Sequence, residues 1–467
     1  MQIKKAYPKK TRFVVWGYGV TGQALVRVLA ERGYPVVLVE NKPESEFAGM
    51  AEEIARLKKS GVKFLFGGAA DLVKLISREA DVFSPSPGIA VPKDLLNACA
   101  DRKIQIAGEI EIAYRLVQGR IIAVTGTDGK TTTATLIHHL LSASGLQSHL
   151  LGNVGSPFIG LAGQTNPEHW LVVEVSSYQL ESIRLFRPYI AVLLNIAEDH
   201  LERHGDMRVY IRMKGRVFEK QHANDHAVVN FDDPTSLQAY GQAKSVLHGF
   251  SLAGRLPGGA WLEGTDLILD KGGKNVRIIG SDEFNLIGEH NRSNALAAIL
   301  ACHLAGCEIE KMRGGLKTFR GLPHRLEPVT EVNNILWVND SKATNVHSTI
   351  NALNSFERPI VLLLGGYDKG LDVTPLIPCI QRHVRHVVLF GATRNRFKKA
   401  FGLLGYSEVT VRKTLQEACS VAKKIAAPGD IVLLSPGSSS FDQFKSYIHR
   451  GEVFRKWVET KVMGKEK

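Results

Sequence analysis

Cysteine is scarce. The chain has five (Cys99, Cys302, Cys307, Cys379 and Cys419) and no Cys-x-x-Cys pair. That excludes a disulfide framework and a zinc ribbon, and leaves reduced, buried thiols. Long apolar runs are missing too. The best, such as residues 359–364, have the length of a strand and fall far short of the ~18 residues of a membrane-spanning helix. The basic start, MQIKKAYPKKTRFVVWGYG, lacks the apolar core of a secretory signal. Aromatics make up only 7% of residues and no Lys/Arg run is interleaved with them, which argues against nucleic acid as a partner. No repeat of fixed period occurs, and the charged residues after Val458 read as a frayed end. These absences predict a cytoplasmic protein that neither inserts into membranes nor binds nucleic acid.

What is present is ordinary in composition but placed in a pattern. The 467 residues are 44% hydrophobic and 22% charged, and at roughly 150 residues per domain the length predicts about three domains. The formal net charge of +13 favours anionic partners, including phosphorylated small molecules. Short apolar runs repeatedly lead into glycine-rich turns and then helical patterns. Examples are Phe13–Trp16 into GYGVTG, Ile121–Val124 into TGTDGKT, Val361–Leu364 into GGYDKG and Ile431–Leu434 into SPGSSS. Such runs read as parallel strands covered by crossover helices, with ligands at their carboxyl ends. The fold class is therefore α/β with mostly parallel sheets. Composition shifts place domains at residues 1–108, 109–321 and 322–467, and residues 240–285 read as a small antiparallel insertion in the middle one.

Two loops are built for phosphate. Gly17-Tyr18-Gly19-Val20-Thr21-Gly22 follows a strand and opens a helix, with Glu40 closing the next strand. This is the dinucleotide-binding pattern, in which loop amides approach a diphosphate at a helix N-terminus; by itself it leaves a purely structural turn and an NAD-dependent oxidoreductase open. Gly126-Thr127-Asp128-Gly129-Lys130-Thr131-Thr132 departs from a strict Walker A, which would put a glycine at Val124. Its mechanics remain: glycines that bring amides to the phosphates, Lys130 for the β and γ oxygens, Thr131 for Mg²⁺. Glu174 closes the run Leu171–Val173, where a second metal ligand belongs. His200 and His204 are spaced like a zinc helix, but Leu201 stands where a zinc protease carries its Glu. His204 reads as solvated or structural.

GTDGKTTT, EVSSYQL, NIAEDHLERHG, GEHNRSNALAA, GLPHRLE, NDSKATN, GGYDKG and SPGSSSFDQF follow one another in that order. Together they resemble the Mur ligases, and within them the D-glutamate-adding members through SSYQL, NDSKATN and SPGSSSFDQF. The Asp-Asn-Pro-Arg string of the diaminopimelate- or lysine-adding members is absent. Another Mur ligase or a folylpolyglutamate synthase is the nearest alternative.

The resemblance implies three domains: a Rossmann-like domain for the UDP substrate, a central P-loop ATPase-like domain and a Rossmann-like C-terminal domain for D-glutamate. The implied reaction joins D-glutamate to UDP-N-acetylmuramoyl-L-alanine with ATP, through an acyl phosphate, in cytoplasmic peptidoglycan precursor synthesis by a monomer. Thr131, Glu174, His200 and a carbamylated Lys214 would hold two Mg²⁺ ions; from its own sequence context, RMKGRVFEK, Lys214 reads as a solvated helix cation. Gly126–Thr132, Asn291, Arg325 and Asp340 would contact ATP, and Lys342 the γ-phosphate and acyl phosphate. Val20, Thr21, Asn41, Lys42, Gly88, Asn153 and Gln179 would contact the UDP substrate. Thr344, Lys369, Ser440, Phe441 and Tyr447, with Lys342, would grip D-glutamate. Asp128, Phe441 and Tyr447 depart from the residues common in the family at their positions.

Overall fold

The computed structural model describes residues 6–69, 71–280, 283–284, 288–368, 370 and 372–464. Three sheets organise them. The first is wholly parallel: β1 (Phe13–Trp16), β2 (Val36–Glu40), β3 (Lys63–Phe66), β4 (Val82–Pro85) and β5 (Gln105–Ile106) lie in the order β3-β2-β1-β4-β5. Strand order reverses at β1, so the glycine loop that follows it opens at the switch point where such sheets bind ligands.

The second sheet contains β6 (Arg120–Thr125), β7 (Ser148–Gly152), β8 (Trp170–Glu174), β9 (Ile190–Leu193), β10 (His226–Asn230), β11 (Val246–Ser251), β12 (Ala260–Glu263), β13 (Asp266–Lys271) and β14 (Lys274–Gly280). Their order is β14-β13-β12-β11-β10-β9-β6-β8-β7. β8 and β9 flank β6 in parallel, pairing Val124 with Glu174 and Thr125 with Leu193. The phosphate loop and Glu174 thus leave the same edge of the sheet side by side. Of the expected antiparallel insertion at 240–285, only β12–β14 are antiparallel to one another, and they are not a separate insertion. β12 pairs in parallel with β11 and buries Trp261, so β12–β14 prolong the main sheet.

The third sheet contains β15 (Glu327–Val332), β16 (Ile335–Asn339), β17 (Ile360–Gly365), β18 (Val384–Phe390), β19 (Val409–Val411) and β20 (Ile431–Leu434), in the order β15-β16-β20-β17-β18-β19. Only β15 is antiparallel. The loops after β16, β20 and β17, which carry NDSK, SPGSSS and GGYDKG, therefore leave three adjacent strands. The closing helix Tyr447–Lys461 buries Phe454 and Val458 and continues beyond Val458, so the chain does not fray there as expected.

These elements pack as two compact units. One comprises residues 1–284 with 292–317, the other residues 285–291 with 318–467. In the first unit a single apolar core runs from the first sheet into the second, from Phe13 and Leu38 to Val173 and Val229. Two buried acids brace this junction. On the helix Glu109–Leu116, Glu109 accepts the Ile159 N–H at 2.5 Å. Glu111 accepts the N–H groups of Arg184, Leu185 and Phe186 at 2.8, 2.8 and 3.1 Å. Four of the five cysteines are buried and all are free. Among the described residues no helix is long and apolar enough to cross a membrane.

The first glycine loop owes its shape to close approach. A Cβ on Gly22 would lie 1.9 Å from the Gly17 carbonyl oxygen, so only glycine lets the helix Val20–Glu31 start against the strand. Gly22→Ala is expected to destabilise the protein by about 2 kcal/mol through overpacking. Urea unfolding measures this, and an unchanged midpoint would refute the close approach.

Candidate active site

The helix Lys130–Ala143 starts at Gly129 with no side-chain cap and no acid in its first turn. The positive end of its dipole therefore favours an anion. Gly129 holds φ at +79°, and a Cβ there would meet Asn294 Oδ1 at 2.2 Å. The loop before it is clasped by the segment after β9. Asn195 Oδ1 accepts the N–H groups of Thr127 and Asp128 at 3.1 and 2.8 Å, and Thr127 Oγ1 accepts the Ala197 N–H at 3.0 Å. Asp128 is exposed, so its carboxylate has water to screen it. The hydroxyls of Thr132 and Thr133 are buried and unpartnered.

Two lysines converge on this loop. Lys130 Nζ donates to the carbonyls of Gly126 and Thr127 at 2.9 and 2.7 Å, and Lys214 Nζ donates to the same Gly126 carbonyl at 2.7 Å. Lys214 comes from the helix Met207–Gly215 and is only 1% exposed, against the Tyr210 ring. Burial pushes its ammonium down to about 7, and Lys130 adds to the fall, while Asp199 and Asp128 oppose it. The solvated helix cation inferred from RMKGRVFEK is therefore corrected. Lys214 turns inward because its helix packs against the phosphate loop.

Glu174 is buried at the end of β8. Its Oε1 accepts from Asn153 Nδ2 at 2.8 Å, while Oε2 is buried without a hydrogen-bond partner. An orphaned carboxylate oxygen in a protein interior is the signature of a cation site. His200 is exposed, with its ring nitrogens 3.3 Å from Asp199 and 3.5 Å from Glu202, and its ring lies tilted against Tyr178 at 4.9 Å. His204 is buried and bonds Ser177 Oγ at 3.0 Å, so it is structural.

Beside these residues lies a cavity of about 750 Å³, lined among others by Pro87, Ile89, Tyr178, Gln179, Arg203 and Met213. Gln179 closes a capping box with Ser176. The cavity takes in the segment around Gly88 but not Val20, Thr21, Asn41 or Lys42. Val20 is exposed at the uncapped start of its helix. Asn41 faces the Trp16 indole at 3.4 Å, and Lys42 pairs with Glu46 at 2.8 Å. Glu40 binds the N–H groups of Tyr18 and Lys42 at 2.7 and 3.0 Å. It is spent on shaping the glycine loop rather than being presented to a ribose.

In the second unit Asp340 is buried, accepting from Ser435 Oγ at 2.8 Å and the Leu326 N–H at 3.2 Å. Burial pushes its carboxyl up to about 7 against those bonds and the nearby Arg325 and Arg450. Arg325 Nε and the hydroxyls of Ser438 and Ser439 are buried without partners. Lys342 Nζ lies 3.5 Å from the Tyr447 hydroxyl and 5.0 Å from its ring centre. His324 is buried, with Nδ1 3.0 Å from Asn339 Nδ2. Ser440 is buried, Thr344 half-buried and Phe441 exposed. Asn291 is buried in the first turn of the helix Glu289–Leu304. Lys369 lies outside the described residues.

Comparison with known proteins decides the family. The Mur ligase middle domain matches residues 124–302, and the Mur ligase glutamate ligase domain matches residues 324–437. The UDP-N-acetylmuramoylalanine–D-glutamate ligase of Caldanaerobacter subterraneus subsp. tengcongensis is 36% identical over 452 residues, covering 96% of this chain and 98% of its own. The enzyme of that name from Geotalea uraniireducens is 38% identical over 450 residues, covering 96% and 97%. The chain belongs to the Mur ligase family. Among solved Mur ligases, the UDP-N-acetylmuramate-alanine ligase of Thermotoga maritima shares the fold, with a TM-score of 0.58 at 19% identity over 97% of this chain and 100% of that one.

The site also uses groups that no motif of this Mur ligase announced. Arg450, fully buried, donates to Ser341 Oγ and O at 3.0 and 2.8 Å and to Ser438 O at 2.9 Å. It joins the NDSK and SPGSSS loops. Asn195 does the same for the phosphate loop. Both grip backbone carbonyls or amides far along the chain, which residue spacing does not reveal; the only signals were Asn195 opening the NIAEDHLERHG motif and Arg450 following Tyr447 on one helix.

A depressed lysine leaves a thermodynamic signature. Between pH 7 and about 10 the unfolded chain holds a proton at Lys214 that the folded protein has released, so this residue's contribution to stability rises with pH. In CO₂-free buffer, the stability of the wild type relative to Lys214→Met is expected to increase across that window. Denaturant titrations at several pH values measure it, and a flat difference would show that Lys214 ionises normally.

Proposed function

We propose that this Mur ligase is the ATP-dependent enzyme that adds D-glutamate to UDP-N-acetylmuramoyl-L-alanine in peptidoglycan precursor synthesis. The reading is carried by the near full-length likeness to D-glutamate ligases, together with Lys130 and Lys214 meeting on the phosphate loop. Residues 1–108 would hold the UDP substrate, 109–321 ATP and 322–467 D-glutamate. The enzyme works as a monomer in the cytoplasm.

The chemical difficulty is that a carboxylate is a poor electrophile and is repelled by a triphosphate. The alanyl carboxylate oxygen attacks the γ-phosphorus, ADP leaves, and an acyl phosphate forms. The amine of D-glutamate then attacks the acyl carbon, phosphate departs, and the amine proton is lost. Lys130 neutralises the β and γ oxygens, the amides of residues 129–132 at the helix start cradle them, and Lys342 follows the charge from γ-phosphate to acyl phosphate. Asn291, Arg325 and Asp340 hold the nucleotide. Thr344, Lys369, Ser440, Phe441 and Tyr447 orient D-glutamate, a dianion that needs cations and directed donors. Val20, Thr21, Asn41, Lys42, Gly88, Asn153 and Gln179 hold the UDP substrate.

The unpartnered Glu174 Oε2 and the buried lysine fit Mg²⁺. Thr131, Glu174, His200 and Lys214, as its carbamate, would hold two ions, with phosphate and water oxygens completing them. Bound Mg²⁺ supplies charge neutralisation on the transferring phosphoryl group. A lysine whose ammonium is destabilised by burial presents the neutral amine that adds CO₂, and the product is an anionic oxygen ligand.

The reading predicts phosphate release from ATP with UDP-N-acetylmuramoyl-L-alanine and D-glutamate, and little with L-lysine, diaminopimelate or L-glutamate. A coupled phosphate assay across that panel measures it. Turnover with L-lysine or diaminopimelate alone would overturn the assignment of substrate.

A further inference from the structure

A second cavity, of about 910 Å³, lies behind the helix Met207–Gly215 in the first unit, where the turn 216–222 and the helix Pro234–Tyr240 close it. The volume is that of a small-molecule site, ~300–1,000 Å³. None of the residues assigned above to substrate, nucleotide or metal lines it. Ile211, Phe218, Ala239 and Tyr240 give it apolar surface, while five basic residues and one acid, Glu219, line it, with Arg216 already paired to Glu219 at 3.1 Å. Arg208 and Lys220 have carboxylate neighbours, Asp206 at 3.6 Å and Glu219 at 2.9 Å. Arg212 and Lys244 are exposed and form no ion pair among the described residues.

Two features tie this cavity to the substrate cavity. Met213 belongs to the walls of both. Arg216 lines the second cavity and sends its guanidinium through to the carbonyls of Leu180, Glu181 and Ile183, at 2.7, 2.7 and 2.6 Å. Glu181 and Ile183 line the first. The helix between has no slack, because a Cβ on Gly215 would lie 2.5 Å from the Ala239 carbonyl oxygen. An anion that draws on Arg216, or that shifts Met213, must move the wall of the substrate cavity or the helix that carries Lys214.

We propose that this cavity is a regulatory site for a small polyanion bearing an aromatic or aliphatic group, and that filling it changes the affinity for the UDP substrate. Coupling of this kind is reciprocal, so substrate must alter the affinity for the anion by the same factor. The coupling rests on the reading of the first cavity as the substrate's; binding of the anion does not.

Pyranine, a fluorescent aromatic trisulfonate, is the probe, titrated by anisotropy into the full-length protein saturated with ADP. The double variant Arg212→Glu/Lys244→Glu is expected to bind it about tenfold more weakly or worse, since two charge-assisted contacts are reversed. Its kcat without probe should be unchanged. Pyranine should shift the KM for UDP-N-acetylmuramoyl-L-alanine several-fold in the wild type and leave the variant unmoved. Equal binding by both proteins would overturn the site, as would tighter binding of a glutamate decapeptide, which would mark a protein-docking surface. Lost binding in the variant with an unmoved wild-type KM would overturn the regulation.

Discussion

The Gly126 carbonyl accepts hydrogen bonds from two ammonium groups, those of Lys130 and Lys214. Like charges on one acceptor in a buried setting are stable only if one gives up its charge or an anion joins them. Both outcomes serve the chemistry. Under the proposed function the triphosphate would be the anion for Lys130, which stands at the uncapped start of a helix. Lys214 is held where burial favours its neutral form, the state from which a carbamate can be made. The loop therefore favours an anion beside Lys130 and, under the proposed function, a carbamate at Lys214.

The rest of the first unit serves that junction. Asn195 and Thr127 fix the loop against the segment after β9, while β8 brings Glu174 beside it with one oxygen unpaired. Glu109 and Glu111, on the helix that leads into the second sheet, fix the segments at 159 and 184–186 through backbone amides, and the 750 Å³ cavity has walls from the segments of both sheets. In the second unit Arg450 performs the matching task for the NDSK and SPGSSS loops. In each case a buried charged or amide side chain is bound by main-chain groups, which fixes loop shape without competing for ligand.

Much of this was legible in the residues. Short apolar runs such as Ile121–Val124 and Ile431–Leu434 became buried parallel strands because only strands covered on both faces tolerate unbroken hydrophobicity. The glycines of the phosphate loop marked where backbone must approach an anion. Lys214 was legible only through the family resemblance, because its partner lies 88 residues away and its local context is that of a surface helix. Glu40 shows a related limit of reading by position. An acid at the end of the second strand matches a ribose contact by position, yet its oxygens are taken by the amides of Tyr18 and Lys42. The residues β12–β14 alternate like an independent hairpin, and only the pairing of Phe250 with Ala260 reveals that they extend the sheet.

The central claim is that Lys214 is delivered to the phosphate loop as a neutral amine to become an anionic ligand. Carbon-13 NMR of the protein equilibrated with ¹³C-bicarbonate tests it most directly. The account predicts a carbamate carbonyl resonance that is present in the wild type, strengthened by Mg²⁺ and ATP, and absent from Lys214→Met. The lack of any such resonance in the active enzyme, or its persistence in the variant, would contradict it.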